Sequence, residues 1–355
     1  MIKRISIAVI LLIFIIAIWF LSVLLPIAGV FDTLEPRLAK SCTPLDISPG
    51  TEDVAIDRKT NLVFVSATNR RPAGDKAGVD ESEEPVDGIF VFNLNKPTLV
   101  RRVSPPGMTD FHPHGISLWH GKKGEARLFA INHSATGEDY VEVFEVGAKG
   151  LLTHLESISF AAMHAPNDIL GVGPRQFYIV NDRGYETGLL SSIEQYFALP
   201  FASAAYFDGN KGRYIQKSLS FASGINQSPD GKTIYISELM KRQVSVFDRN
   251  IETGTLEKLR SLKINMAPDN IDVDQKGILW VAGHPRLFEF LEHAGDRNAI
   301  APSIVVKIDP KEGAVEDVFV AIDGEINASS VGAVHNKTLI VGAIFNGHVM
   351  ICPLP

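Results

Sequence analysis

Cysteine is almost missing from this chain, with two in 355 residues, Cys42 and Cys352. No cluster of thiolates exists that would suit zinc. Runs of positive charge are missing too. Lys and Arg number 34 against 41 Asp and Glu, for a formal net charge of −7. That balance argues against a nucleic-acid partner, because phosphate binding needs clustered Lys and Arg. No Gly-x-Ser-x-Gly element occurs, which argues against a serine hydrolase built on a nucleophile elbow. Charged residues are only 21% of the chain and hydrophobic residues 45%, so material for a large core is ample.

The N-terminus holds the one long apolar run. After Lys3 and Arg4, the stretch from Ile5 to Val30 carries no charge. At roughly 20 residues per hydrocarbon thickness it is long enough to span a bilayer. Ala28-Gly29 is a poor cleavage site for a secretory signal. The expectation is therefore an N-terminal transmembrane or signal-anchor helix over residues 1–30, with cleavage and simple burial as alternatives. A linker over 31–44 follows, and one domain over 45–355. Positive charge ahead of the run places the body on the non-cytoplasmic side of the membrane: secretory pathway, extracellular or periplasmic, or secreted if the anchor is cleaved.

Beyond the linker, long helical patterns give way to short β-prone runs bounded by Gly, Asp, Asn and Pro. Six times a small or polar pair precedes an aliphatic residue, a turn and a strongly β-prone run. The pairs with their aliphatic residue are Glu52-Asp53-Val54, His114-Gly115-Ile116, Asn167-Asp168-Ile169, Ser223-Gly224-Ile225, Asp269-Asn270-Ile271 and Ser329-Ser330-Val331. Their successive spacings are 62, 53, 56, 46 and 60 residues, the size of a four-stranded propeller blade with variable loops. The reading is an all-β, six-bladed propeller, with a β-sandwich as the alternative. In a closed propeller the chain ends meet in one blade, where a Cys42–Cys352 bridge would lock the ring. Two free buried thiols remain the other possibility.

Equivalent positions of different blades converge on a propeller's axis. The first residues of the pairs then form a ring of Glu52, His114, Asn167, Ser223, Asp269 and Ser329, with Asp53, Asp168 and Asn270 beside it. Burying such a set without purpose is costly. Carboxylate and amide oxygens without Cys suit a hard cation such as Ca²⁺.

These residues also carry a resemblance. Phe111-His112-Pro113-His114-Gly115-Ile116-Ser117, Asn132-His133, Asn167-Asp168-Ile169, Val172-Gly173-Pro174, Asn181-Asp182, the run Gly224 to Leu239, Asp269-Asn270-Ile271 and His284-Pro285 resemble the paraoxonase (serum arylesterase/lactonase) family from about Cys42 to Cys352. The resemblance implies a six-bladed propeller with two calcium ions and a disulfide joining the chain ends. It implies a catalytic Ca²⁺ held by Glu52, Asn167, Asp269 and Asn270, with Ser223 where the family usually has Asn. A structural Ca²⁺ would take Asp53, Asp168 and the Ile116 carbonyl. His114 and His133 match a proton-handling dyad, and Asp182 falls near the active site. Gly283 stands where mammalian members carry a third Cys.

The implied activity is calcium-dependent hydrolysis of lactones and aryl esters. The ion would polarise the carbonyl, and His114 relayed by His133, or else Asp269, would activate water. Small lipophilic lactones or esters are the expected substrates. The aromatic stretch Tyr185 to Phe207 reads as an apolar lip between two blades, and His284 is a candidate pocket residue. The polar, acidic loop from Asn69 to Gly88 reads as a solvated surface excursion. The rival functions are a sugar-lactone hydrolase of gluconolactonase type and a non-enzymatic, membrane-tethered propeller.

Overall fold

Each of the six β-prone runs becomes the second strand of a four-stranded antiparallel sheet. Valine, isoleucine and aromatic side chains fill these strands, which lie buried between neighbouring sheets (Leu62–Ala67, Ala126–His133, Phe177–Asn181, Thr233–Glu238, Leu279–His284 and Thr338–Ala343). The computed structural model describes residues 2–71 and 86–355 and forms a six-bladed propeller. Most of the acidic loop expected at Asn69–Gly88 lies outside the described residues.

The innermost strands of blades 1 to 6 are Thr51–Asp57, Pro113–His120, Pro166–Gly171, Ala222–Gln227, Ala267–Val273 and Ser329–His335. Each touches the next, and the sixth touches the first, so the ring is closed. A polar bond stitches every seam. Asp53 accepts from Ile116 N (2.7 Å), Asp168 from Ile225 N (2.7 Å) and Asp272 from Val334 N (2.9 Å). Between the other pairs, Gly171 N donates to Ser117 Oγ (3.0 Å), Asn226 Nδ2 to the Ile271 carbonyl (2.7 Å) and Ser330 Oγ to the Glu52 carbonyl (2.5 Å). Arg58 crosses from blade 1 to reach Asp272 at 2.6 Å and the Val334 carbonyl at 3.2 Å, tying blades 1, 5 and 6.

Blade 6 is built from both ends of the chain. The N-terminal strand Thr43–Asp46 pairs with His348–Pro353 as its outermost member. Cys42 and Cys352 are bonded there, as expected, across 310 residues of sequence. A bond of this kind persists in oxidising compartments, which agrees with a secreted or extracellular protein.

The segment read as a linker is packed against the domain. Arg37 exchanges two backbone hydrogen bonds with Val320, both 3.0 Å, and Asp32 pairs with Arg242 at 2.5 Å. Ahead of it runs an apolar helix, Ile2–Trp19, continued by a π-turn over Phe20–Leu24. Residues 13–18 of this helix are exposed throughout. Its far end is fastened to the propeller, where Leu287 N donates to the Ala28 carbonyl (3.0 Å) and Arg286 to the Gly29 carbonyl (2.5 Å). Among the described residues, no helix is long and apolar enough to cross a membrane. The expected anchor is therefore not a finding of the fold.

The aromatic stretch departs from its reading. It lies inside blade 3, between that blade's second and third strands, rather than between two blades. Tyr206 and Phe207 are core residues of the third strand, Ala202–Phe207. Tyr185, Tyr196, Phe197 and Phe201 are exposed around the helix Gly188–Tyr196. The strand is buried on both faces, so its adjacent aromatics both pack inward, Tyr206 and Phe207 in separate core clusters, while those of the preceding helix and loop stay exposed.

Replacing Cys42 and Cys352 by Ser should lower unfolding stability by about 2–5 kcal/mol, because the unfolded chain regains its loop entropy. Urea denaturation of oxidised protein and the double variant measures this, and equal midpoints would refute a locking role.

Candidate active site

The sequence put polar pairs at the heads of the innermost strands, and the backbone explains why they point inward. In all six, the ladder to the second strand slips across the pair, for example between Thr51 and Asp53, Pro113 and Ile116, or Pro268 and Ile271. Such bulges re-aim side chains that a regular strand would alternate between faces. Small residues let the blades close up there. A Cβ on Gly115 would sit 2.7 Å from the Asn167 carbonyl, and one on Gly224 2.5 Å from the Asp269 carbonyl.

The result is a polar hub held out of water. Glu52, Asp53, Asp168, Asp269 and Asn270 are each 5% exposed or less. Asn270 Nδ2 donates to Glu52 Oε1 at 2.8 Å, joining blade 5 to blade 1. Yet Glu52 Oε2, Asn167 Oδ1 and Asn270 Oδ1 are buried with no partner. Three orphaned oxygens from three blades are expensive to desolvate and fit a hard cation that would accept all of them. Among the described residues, no three His, Cys, Asp or Glu side chains cluster as a metal-holding group. The oxygen set depends on amides, which suit calcium and not zinc.

Charge at the hub points the same way. Burial pushes Glu52 well above the usual carboxylate range, against the pull of Arg70. Burial likewise raises Asp53 to about 7, despite hydrogen bonds from Ile116 N and Val54 N. Asp168 is raised well above its ordinary value, first by burial and then by the charge of Asp53. Asp53 and Asp168 both line a polar cavity of about 120 Å³ on the axis, together with Ile116.

Of the remaining expected residues, His114 and His133 do meet. His114 Nδ1 lies 2.8 Å from His133 Nε2, and His133 Nδ1 lies 2.7 Å from Asp139 Oδ1. His133 Nδ1–H donates to the Asp139 carboxylate. Its Nε2 then accepts from His114 Nδ1–H, and the lone pair of His114 Nε2 is left for a proton. That nitrogen is 3.6 Å from Glu52 Oε1. Burial, followed by the nearby charges of Arg70, His133 and Arg183, holds His114 well below its ordinary pKa.

Asp139 was missed because it follows His133 in a hairpin with nothing to mark it. His284, a candidate pocket residue, lies at the hub: its Nε2 is 3.4 Å from Asp269 Oδ2, its ring stacks on Phe290 at 4.1 Å, and its Nδ1 is buried without a partner. Ser223 is buried, but its hydroxyl donates to the Pro268 carbonyl at 2.9 Å. Asp182 is buried and grips Arg183 through both carboxylate oxygens (2.6 and 2.8 Å). Five other histidines serve elsewhere: His112 on Asp87 and Asp110, His120 on Asp57, His154 on Glu142, His164 on the Arg183 carbonyl and His335 on Asn61.

The arylesterase family profile matches residues 86–354. The chain belongs to the arylesterase family. It is 30% identical over 310 residues to serum paraoxonase/arylesterase 1 of Homo sapiens, covering 84% of this chain and 85% of the relative. Serum paraoxonase/arylesterase 2 of Homo sapiens is 29% identical over 317 residues, with 84% and 85% covered. Membership places this chain among ester-hydrolysing enzymes. Its fold is similar to that of a gluconolactonase from Xanthomonas campestris (TM-score 0.57, 14% identity, 91% of this chain and 96% of the other). It is similar as well to that of regucalcin, a calcium-binding protein from Agrobacterium tumefaciens (TM-score 0.51, 14% identity, 90% and 94% covered).

Two outcomes are expected of this arylesterase-family hub. Asp139→Asn should lower kcat for an aryl ester roughly 10- to 100-fold with little change in KM, since the relay loses the acceptor that fixes its tautomer. Steady-state kinetics and the pH–rate profile test this, and wild-type values would remove Asp139 from the relay. In metal-free protein, the folded state keeps a proton on Asp53 that the unfolded chain gives up above its ordinary carboxylate pKa. Stability is therefore gained as pH falls below about 7 and is lost as pH rises through that value. Melting temperatures in chelator should rise from pH 8 to pH 6, and a fall would contradict the raised carboxyls.

Proposed function

We propose that this protein is a calcium-dependent hydrolase of lactones and aryl esters. The observation that carries the reading is the set of orphaned oxygens on Glu52, Asn167 and Asn270, beside Asp269 and within reach of a neutral His114 base. Glu52, Asn167, Asp269 and Asn270 would hold the catalytic ion, with Ser223 contributing at most a weak neutral oxygen. Asp53, Asp168 and the Ile116 carbonyl would hold a structural one below it. When bound, calcium supplies Lewis-acid polarisation of the carbonyl and charge for the developing oxyanion.

The protein's own groups do the rest. His114 Nε2 takes the proton of the attacking water, and His133 with Asp139 holds the imidazole in the tautomer that can accept it. Asp269 is the rival base; His284 beside it limits how the carboxylate turns. Phe290, stacked on His284 and facing Phe345 at 6.3 Å, gives the substrate an aromatic wall. A wall of this kind favours lipophilic acyl or aryl groups over a bare sugar lactone.

The N-terminal helix supports a second part of the reading, attachment to a membrane on the non-cytoplasmic side. Its exposed residues Ile10, Leu11, Ile13, Phe14 and Ile15 are 55–64% accessible and apolar on all sides of the helix. Trp19 packs on Phe197 at 5.0 Å, which brings the helix beside the exposed aromatics of blade 3. Apolar surface of this extent serves a membrane or a partner rather than water.

Stripping calcium with a chelator should abolish hydrolysis of phenyl acetate and of a δ-lactone, and added Ca²⁺ should restore both. Turnover indifferent to chelation would end this proposal. Asp269→Ala should cost about 1000-fold or more in kcat, while His133→Gln should leave calcium affinity unchanged. A lipophilic lactone should be turned over with higher kcat/KM than gluconolactone.

A further inference from the structure

The hub gathers four buried carboxylates, Glu52, Asp53, Asp168 and Asp269. Among the described residues, one cation bears on three of these acids at once. Arg70 is the strongest charge acting on Glu52 and on His114, and it feels Glu52, Asp87, Asp269 and Asp53 in return. Among the described residues, its guanidinium forms no surface ion pair. Nη1 donates to the carbonyls of Gly50 (3.1 Å) and Thr68 (3.2 Å), and Nη2 to that of Pro113 (3.1 Å). Gly50, at φ +77°, leaves room for it; a Cβ there would lie 3.0 Å from Nη1 and 1.9 Å from the Thr68 carbonyl.

Those three carbonyls are not scattered. Gly50 precedes Glu52 by two residues, Pro113 immediately precedes His114, and Thr68 directly follows the second strand of blade 1. Thr68 Oγ1 reinforces the join with its own bond to the Pro113 carbonyl at 2.8 Å. Arg70 therefore clamps the seam across which Glu52 and His114 face each other at 3.6 Å. Its charge is fixed, because a guanidinium does not give up its proton in a protein.

We propose that Arg70 is the resident cation of the axial centre, a positioning residue that holds the Glu52–His114 seam and stabilises the hub before any metal enters. The proposal rests on the reading of the hub as a calcium centre. Arg70 sets a fixed positive charge against the acids of the hub, and it opposes calcium binding by the same charge.

The test uses full-length protein carrying Arg70→Gln or Arg70→Lys. Calcium affinity is measured calorimetrically against a competing chelator, together with melting temperature in chelator and kcat and KM for phenyl acetate. Arg70→Gln should bind calcium about tenfold more tightly and melt lower in chelator, with kcat reduced more than KM is changed. Arg70→Lys, which keeps the charge but not the fork, should keep calcium affinity within about twofold. A folded Arg70→Gln protein with equal or weaker calcium affinity overturns the proposal. Should that variant not fold, Arg70→Lys decides: loosening of calcium by more than about fivefold shows that the bonds govern and the charge does not. Wild-type protein that fails to bind calcium would defeat the calcium reading alone. The chelator arm then still judges Arg70, and equal melting temperatures of the Gln and Lys variants would refute it.

Discussion

Desolvation of oxygen at the propeller axis is the constraint on which the rest of this structure depends. Glu52, Asp53, Asp168, Asp269 and Asn270 are almost wholly removed from water. Carboxylates in such a place either keep their protons or acquire positive charge, and burial raises the pKa of Glu52, Asp53 and Asp168. The orphaned oxygens of Glu52, Asn167 and Asn270 show what is left unsatisfied. A hub of this kind is costly to fold, and a closed ring is what makes the cost bearable. No blade can withdraw its oxygen without opening a seam.

The seams and the site are the same residues. Asp53 and Asp168 are candidate ligands, and each also caps a backbone amide of the next blade. The Glu52 carbonyl accepts from Ser330 while its carboxylate accepts from Asn270. Closure by Thr43–Asp46 in the sixth blade and by the Cys42–Cys352 bond fixes the circumference that brings these groups within bonding range. Fold stability and site geometry are coupled through that circumference. A change at either should be felt at both.

One edge of the ring is dressed differently from the other. The end of the N-terminal helix packs on Phe197 of blade 3 and clusters with Leu287 and Phe290 of the helix Leu287–Gly295, and Phe290 stacks on His284 beside Asp269. The opposite end of the axis carries the Arg58–Asp272 pair and the polar cavity. Apolar groups at the entrance and ionic groups at the base give the channel a direction.

The sequence by itself determined the six-fold repeat, because each blade must bury one β-prone run and turn at its ends, and both leave a local pattern. The polar pairs were legible for the same reason, as were the cysteines at the two chain ends; the meeting of His114 with His133 was legible only through the family resemblance. Only the tertiary structure decided what the pairs do. Bulges aim them, and no residue type announces a bulge. Asp139, Arg70 and His284 act across a hairpin, a seam and an aromatic stack, contacts set by distance in space rather than in the chain. Ser223 shows the converse: its position matched a ligand, yet its hydroxyl donates to the Pro268 carbonyl. Period and composition speak for what a strand buries; which oxygen lacks a partner is known only when every neighbour is in place.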